Sequence, residues 1–132
     1  RAMSADEVEN FIAENFGVLR ESVFAKYPQY WVFRQKDNQK WFALLMDTPA
    51  QKFELSANAK AKFRGEISVL NLKCRPDLAR ILIDGEKILP AYHMNKKHWI
   101  SVNLSCDIGK SVVCDLITQS LELTRAGRKA RK

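Results

Sequence analysis

The sequence predicts a single α+β domain, an antiparallel sheet with helices packed on one face. Three observations carry that reading. Two aromatic and aliphatic runs, 27–35 and 40–47, are joined by the turn-prone Lys36-Asp37-Asn38-Gln39; residues 98–104 alternate between apolar and polar; and helical periodicities open and close the chain.

The elements follow in order. Ser4 and Glu7 are spaced as a capping box, and Val8, Phe11, Ile12 and Phe16 recur at helical spacing before Gly17, which predicts a helix over 5–16. Asp6, Glu7, Glu9 and Glu14 fall on its other side, as a solvated face rather than a cation site. The hairpin comes next, with Asp37-Asn38 at the positions that tolerate positive φ. Residues 48–65 read as loose and polar, and "AKAKFR" within them carries Lys60, Lys62 and Arg64 without an acid. "EISVLNLKC" (66–74) reads as a strand covered on both faces. Pro76 then starts a short helix with Leu78, Ile81 and Leu82 on one side. After the turn "DGEKILP", Trp99, Ser101 and Asn103 are expected on one side of a half-exposed strand, with Ile100, Val102 and Leu104 on the other. Asp107 is expected to cap a last helix, about 108–124, whose inner stripe holds Val112, Val113, Leu116, Ile117, Ser120, Leu121 and Thr124.

The 132 residues suit one domain spanning 1–132, and 46% hydrophobic with 28% charged residues is a globular composition. Arg1-Ala2 reads as a cloning remnant ahead of a start at Met3, and residues 125–132 read as a basic tail. The net charge is +7; without the tail's Arg125, Arg128, Lys129, Arg131 and Lys132, 17 basic face 15 acidic residues, a body of +2. Cys74, Cys106 and Cys114 form no CxxC pair and read as reduced thiols. No apolar run nears the ~20 residues that span a bilayer. No signal peptide opens the chain, so the expected location is the cytoplasm.

Chemistry concentrates in "PAYHMNKKHW" (90–99). His93 and His98 have no convergent third ligand in the sequence, so no metal is expected. Phosphate-cradling and nucleophile-elbow motifs are absent, so neither an enzyme nor a cofactor is expected. Lys87, Lys96 and Lys97 stand beside Tyr92, His93, Asn95 and Trp99 with no acid among them, a pattern suited to nucleic acid: cations for phosphates, an amide for base edges, rings for stacking. Lys73 and Arg75 extend it from the neighbouring strand. An equally good reading packs Tyr92 and Trp99 at a sheet end, places Asn95 in a turn and leaves the lysines in water.

These residues resemble the MmcQ/YjbR family over roughly 7–125, through "YPQYWVFRQKDNQKWFALLMD", "VLNLKCRPDL", "LPAYHMNKKHWISV" and "LITQSLELT". The resemblance implies a fold related to the bacterial frataxin homologue CyaY, no established activity or cofactor, and DNA binding through β-hairpin wings. Its signature falls on Asn71, Lys73, Cys74, Pro76, Tyr92, His93, Met94, Asn95, Lys96, His98 and Trp99. Arg75 and Lys97 depart from it at positions that are often acidic, or arginine at the second. The expectation is therefore a bacterial-type DNA-binding domain of weak, sequence-independent affinity. Its phosphate contacts come from Lys73, Arg75, Lys96, Lys97 and the tail, with Tyr92, His93, Asn95, His98 and Trp99 in the loop and candidate wings at Lys36–Lys40 and Lys60–Arg64. The alternatives are a protein- or peptide-binding adaptor, chaperone-like, using a sheet edge or aromatic surface, and a small-molecule or metal sensor built on His93, His98 and a cysteine.

Overall fold

The computed structural model describes residues 3–125; Arg1, Ala2 and the tail beyond Arg125 lie outside them. The elements are α1 (Ala5–Phe16), β1 (Glu21–Ser22), β2 (Trp31–Arg34), β3 (Trp41–Pro49), a 3-10 turn (Ala50–Lys52), α2 (Ala57–Lys62), β4 (Glu66–Lys73), α3 (Pro76–Leu82), β5 (Ile88–Pro90), β6 (Trp99–Asn103) and α4 (Lys110–Leu123). All six strands form one antiparallel sheet in the order β1-β2-β3-β4-β6-β5. The helix α1 begins at the capping box of Ser4 and Glu7 and stops at Gly17, whose φ of 67° is the left-handed cap that glycine adopts without a Cβ penalty.

Apolar side chains pack on both faces of the sheet. One cluster joins Val8 and Ile12 of α1, Ala79 of α3 and Val113, Leu116 and Ile117 of α4 to Leu45, Leu70, Leu72, Ile100 and Val102 of the strands. A second, on the opposite face, joins Val32, Leu44, Met46, Val69 and Leu89 to Tyr30, Ala50 and Phe53, with Phe24, Trp41, Leu55, Phe63, Tyr92 and Met94 around them. Helices α1, α3 and α4 thus cover one face as expected. The other is covered by irregular chain, the 3-10 turn and α2.

Several local expectations are corrected. Residues 57–62 are helical, capped by the Ser56 side chain, which accepts the Ala59 N–H at 3.2 Å. The positive φ of the β2–β3 turn falls on Gln39 (64°), while Asn38 accepts the Lys40 N–H at 2.9 Å. Strand β6 is buried along its whole length, not half-exposed. Ile81 is 79% and Val112 46% exposed, so neither belongs to its predicted inner stripe. The last helix starts at Lys110 with Gly109 at its N-cap position, and no side chain caps it.

A bulge in β3 decides which way its aromatic start faces. Phe33 pairs with Ala43 and Arg34 with Trp41, so Phe42 is the extra residue. Phe42 then joins Ala43 and Leu45 in the helix-side cluster, while Trp41 turns to the other face. The bulge interrupts the ladder to β4, and the fully buried Ser120 of α4 repairs it: its hydroxyl donates to the Phe42 carbonyl and accepts the Lys73 N–H at 2.8 Å. Ser120→Ala leaves both groups buried without a partner, and should lower unfolding stability by about 1–3 kcal/mol in a urea titration. A loss below about 0.5 kcal/mol would mean that the strands close the gap themselves.

Candidate nucleic-acid interface

The β5–β6 loop is held by side chains from within the sheet. Asn71 and Ser101 are partners across β4 and β6 and are both fully buried. Asn71 Nδ2 donates to the Tyr92 carbonyl at 2.7 Å, Ser101 Oγ donates to Asn71 Oδ1, and the Tyr92 N–H donates to Ser101 Oγ at 3.2 Å. Asn95 Oδ1 accepts the Lys97 and His98 N–H groups at 2.8 and 3.3 Å, an Asx turn. Lys96 Nζ folds back to the Ala91 carbonyl. Trp99 is only 8% exposed.

Four residues expected to touch DNA therefore shape the loop. Asn95 spends its oxygen on the turn, Lys96 ties the loop to its own start, Trp99 is buried, and Tyr92 packs edge-on against Phe53 at 5.4 Å between ring centroids. These contacts give each of the four a packing or loop-forming role, and Asn95 and Lys96 remain exposed.

His93 has a φ of 73°, a region where His is enriched among non-glycine residues. Its ring lies 4.0 Å from that of Tyr92 and 6.2 Å from that of Tyr30, which also stacks on the 44% exposed Tyr27 and meets Phe24 edge-on. Partial burial, then the charge of Lys52, holds the His93 imidazole below its ordinary pKa.

The cations sort by register. Because Lys73 is paired with Trp99, and the Cys74 N–H donates to the His98 carbonyl at 2.8 Å, residues 73–75 run beside 97–99. The shared bond to Ser120 puts Phe42, and with it the β2–β3 turn, at the same end. Lys36, Lys40, Lys73, Arg75, Lys97 and His98 thus gather at one end of the sheet. Lys40, Arg75, Lys97 and His98 are exposed, and Arg75 has Asp77 at 3.3 Å. Lys60, Lys62 and Arg64 precede the start of β4 and lie at the other end, where Lys62 is paired with Glu86 at 2.8 Å.

The β2–β3 turn, one of the candidate wings, is anchored as well. Gln35 Nε2 donates to the Leu121 carbonyl at 2.6 Å and to Thr124 Oγ1 at 2.8 Å, and Asn38 Nδ2 donates to the Thr124 carbonyl at 2.8 Å. These bonds dock the turn on the C-terminus of α4. Lys36 Nζ lies so near Gly17 that a Cβ there would stand 3.0 Å from it.

The three thiols are poorly suited to nucleophilic chemistry. Burial raises all three pKa values, that of Cys106 to about 11, and Cys106 Sγ donates to the Glu86 carbonyl at 3.3 Å. Cys74 packs in the helix-side cluster, away from His93. Among the described residues no group of three or more His, Cys, Asp or Glu could hold a metal ion. Sequence reading missed Ser101, Gln35 and the Tyr27–Tyr30 stack as parts of this region. The polar Ser101 inside an apolar strand was the available signal.

Comparison with known proteins places the chain. A family model described as YjbR matches residues 17–123. The uncharacterized protein YyaQ of Bacillus subtilis is 36% identical over 123 residues, covering 93% of this chain and 99% of YyaQ. A Pseudomonas syringae protein of known crystal structure is 36% identical, with a TM-score of 0.84 over 93% of this chain and all of its own. The Deinococcus radiodurans protein DR2400, at 22% identity and a TM-score of 0.68 over 96% of this chain and 82% of its own, shares the fold.

Adjacent lysines should separate in a melting experiment. Lys96→Glu, which removes the bond to Ala91, is expected to cost about 1 kcal/mol and lower Tm by several degrees. Lys97→Glu should leave Tm within about a degree; equal shifts would refute the loop role of Lys96. A second expectation concerns acid. The fold favours neutral His93, so its contribution is fully present above pH 6.5 and is lost as pH falls from there through the lowered value. Stability should therefore drop between pH 7.5 and 5, and His93→Asn should make that drop smaller; an unchanged drop would exclude His93 as its source.

Proposed function

The chain belongs to the YjbR family, and from that premise we propose that it is a non-catalytic, cytoplasmic DNA-binding domain whose phosphate contacts lie at one end of the sheet. The observation that carries the proposal is the convergence of Lys40, Lys73, Arg75, Lys97 and His98 from three separate connections. The exposed pair of Arg75 with Asp77 is a weak competitor for a phosphate, since such pairs are worth about 0–1 kcal/mol. The loop supplies shape. Asn71, Tyr92, Asn95, Lys96 and Trp99 hold Lys97 and His98 outward, and no base-reading side chain is assigned. Binding is therefore expected to be weak and indifferent to sequence.

A second reading, a protein-binding surface, keeps one supporting observation, the exposed Tyr27 stacked on Tyr30. Strand addition at a sheet edge is disfavoured, because the edge strands β1 and β5 have two and three residues and β5 ends on Pro90.

Fluorescence anisotropy with labelled duplex DNA tests the proposal, using the full chain and a version ending at Thr124. With about three phosphates contacted, log affinity should fall by about 2.7 per decade of salt. Lys73→Glu combined with Lys97→Glu should weaken binding about tenfold or more without lowering Tm. Affinity that survives the double reversal, or that disappears with the tail, would remove the site from the folded domain.

A further inference from the structure

The stretch "AKAKFR", set apart from the cationic end of the sheet, borders a groove of its own. The groove holds about 370 Å³ and is lined by Gln51, Phe53, Leu55, Lys60, Phe63 and Arg64. That volume lies within the ~300–1,000 Å³ of small-molecule sites. Its base is apolar: Phe53 is 7% exposed and belongs to the second core cluster, with Leu55 and Phe63 packed against it. The two cations lie four residues apart, Lys60 on α2 and Arg64 just past its extended C-cap residue, Phe63, and both line the groove. Lys62, the remaining cation of the stretch, is engaged by Glu86. No carboxylate lines the groove, and neither Lys60 nor Arg64 has an ion-pair partner among the described residues.

We propose that this groove binds a small organic anion, an apolar aryl or acyl body carrying one carboxylate, sulfonate or phosphate group. The body would lie on Phe53, Leu55 and Phe63, and the oxyanion would meet Lys60 and the planar fork of Arg64, which suits paired oxygen acceptors. Charge complementarity selects the occupant: a neutral apolar ligand leaves both cations unused, and a cationic one is repelled. Polymeric nucleic acid is the poorer fit, because the unpaired cations of the signature region lie at the other end of the sheet and a single pocketed anion does not extend to them. The wall of the groove also touches the signature loop, since Phe53 packs on Tyr92.

The test is a fluorescence titration of the full chain with 8-anilinonaphthalene-1-sulfonate, alongside its uncharged relative N-phenyl-1-naphthylamine. One saturable site for the anion is expected, with the neutral compound binding more weakly. Lys60→Glu with Arg64→Glu should weaken the anion about tenfold or more while leaving the neutral compound unaffected. Gln51→Trp, which fills the groove from its exposed rim without changing charge, should weaken both. Amide shifts on adding the anion should be largest over residues 51–64. Absence of saturable binding, anion affinity within about twofold after charge reversal at unchanged Tm, or shifts centred elsewhere would each overturn the assignment.

Discussion

The Asn71 amide sits in the centre of the sheet with no access to water, and the placement of the β5–β6 loop depends on how it is satisfied. An unpaired amide at such a place costs about 1–3 kcal/mol. Here both ends of the group are used, one on Ser101 and the other on the Tyr92 carbonyl, so the penalty is avoided in one register only. Sliding β4 by one residue against β6 would turn Asn71 into the helix-side cluster and expel Leu70 and Leu72 from it. The same amide that fixes the register therefore fixes where Lys73 stands relative to Trp99, and so which cations share an end of the sheet.

A second set of polar bonds fastens α4 to that end. Ser120 bridges the bulge at Phe42, Thr124 receives Gln35, and Asn38 reaches the Thr124 carbonyl. Helix C-termini leave carbonyls without intrahelical partners, and the β2–β3 turn provides donors for them. The consequence is mechanical as well as energetic. A hairpin that presents Lys36 and Lys40 is tied at its tip to the last turn of a helix whose inner stripe is buried in the core, so its cations keep fixed positions relative to Lys73 and Lys97.

Much of the fold was legible in the sequence because the long elements have clear periods. The capping box and Gly17 bound α1, the hairpin runs flank a polar turn, and β4 is continuously β-prone. What escaped was short or used polar atoms in the interior. Helix α2 buries only Ala59, so it has no apolar stripe to detect. Ser101 and Asn103 read as a solvent face because a lone strand cannot reveal that Asn71 and the Glu86 carbonyl are waiting for them. The candidate site was legible as a place and less so in its roles. Asn95 offers the same carboxamide oxygen to a base or to its own turn, and only the backbone path of residues 95–98 chooses. Lys96 and Lys97 are chemically identical neighbours, yet one side chain folds onto Ala91 while the other is left in solvent.

The net charge of the body, +2 by composition, is a poor guide to what the surface attracts. Screening limits the reach of exposed charges to about 8 Å at physiological salt, so a phosphate responds to the groups beside it. The connections 36–40, 73–77 and 95–98 bring Lys36, Lys40, Lys73, Arg75 and Lys97 together against Asp37 and Asp77. Glu122 also stands at this end, lining one depression with Arg75 and another with Lys36, while several acids elsewhere are engaged. Glu7 holds Lys110, Glu9 holds Arg20, Glu21 holds Arg34 and Glu86 holds Lys62. Pairing of this kind neutralises some cations and leaves others without an ion-pair partner among the described residues, at the signature end and at Lys60 and Arg64. Two cationic places result, an open rim at the signature end and an apolar-based groove at the other, and their floors differ in polarity.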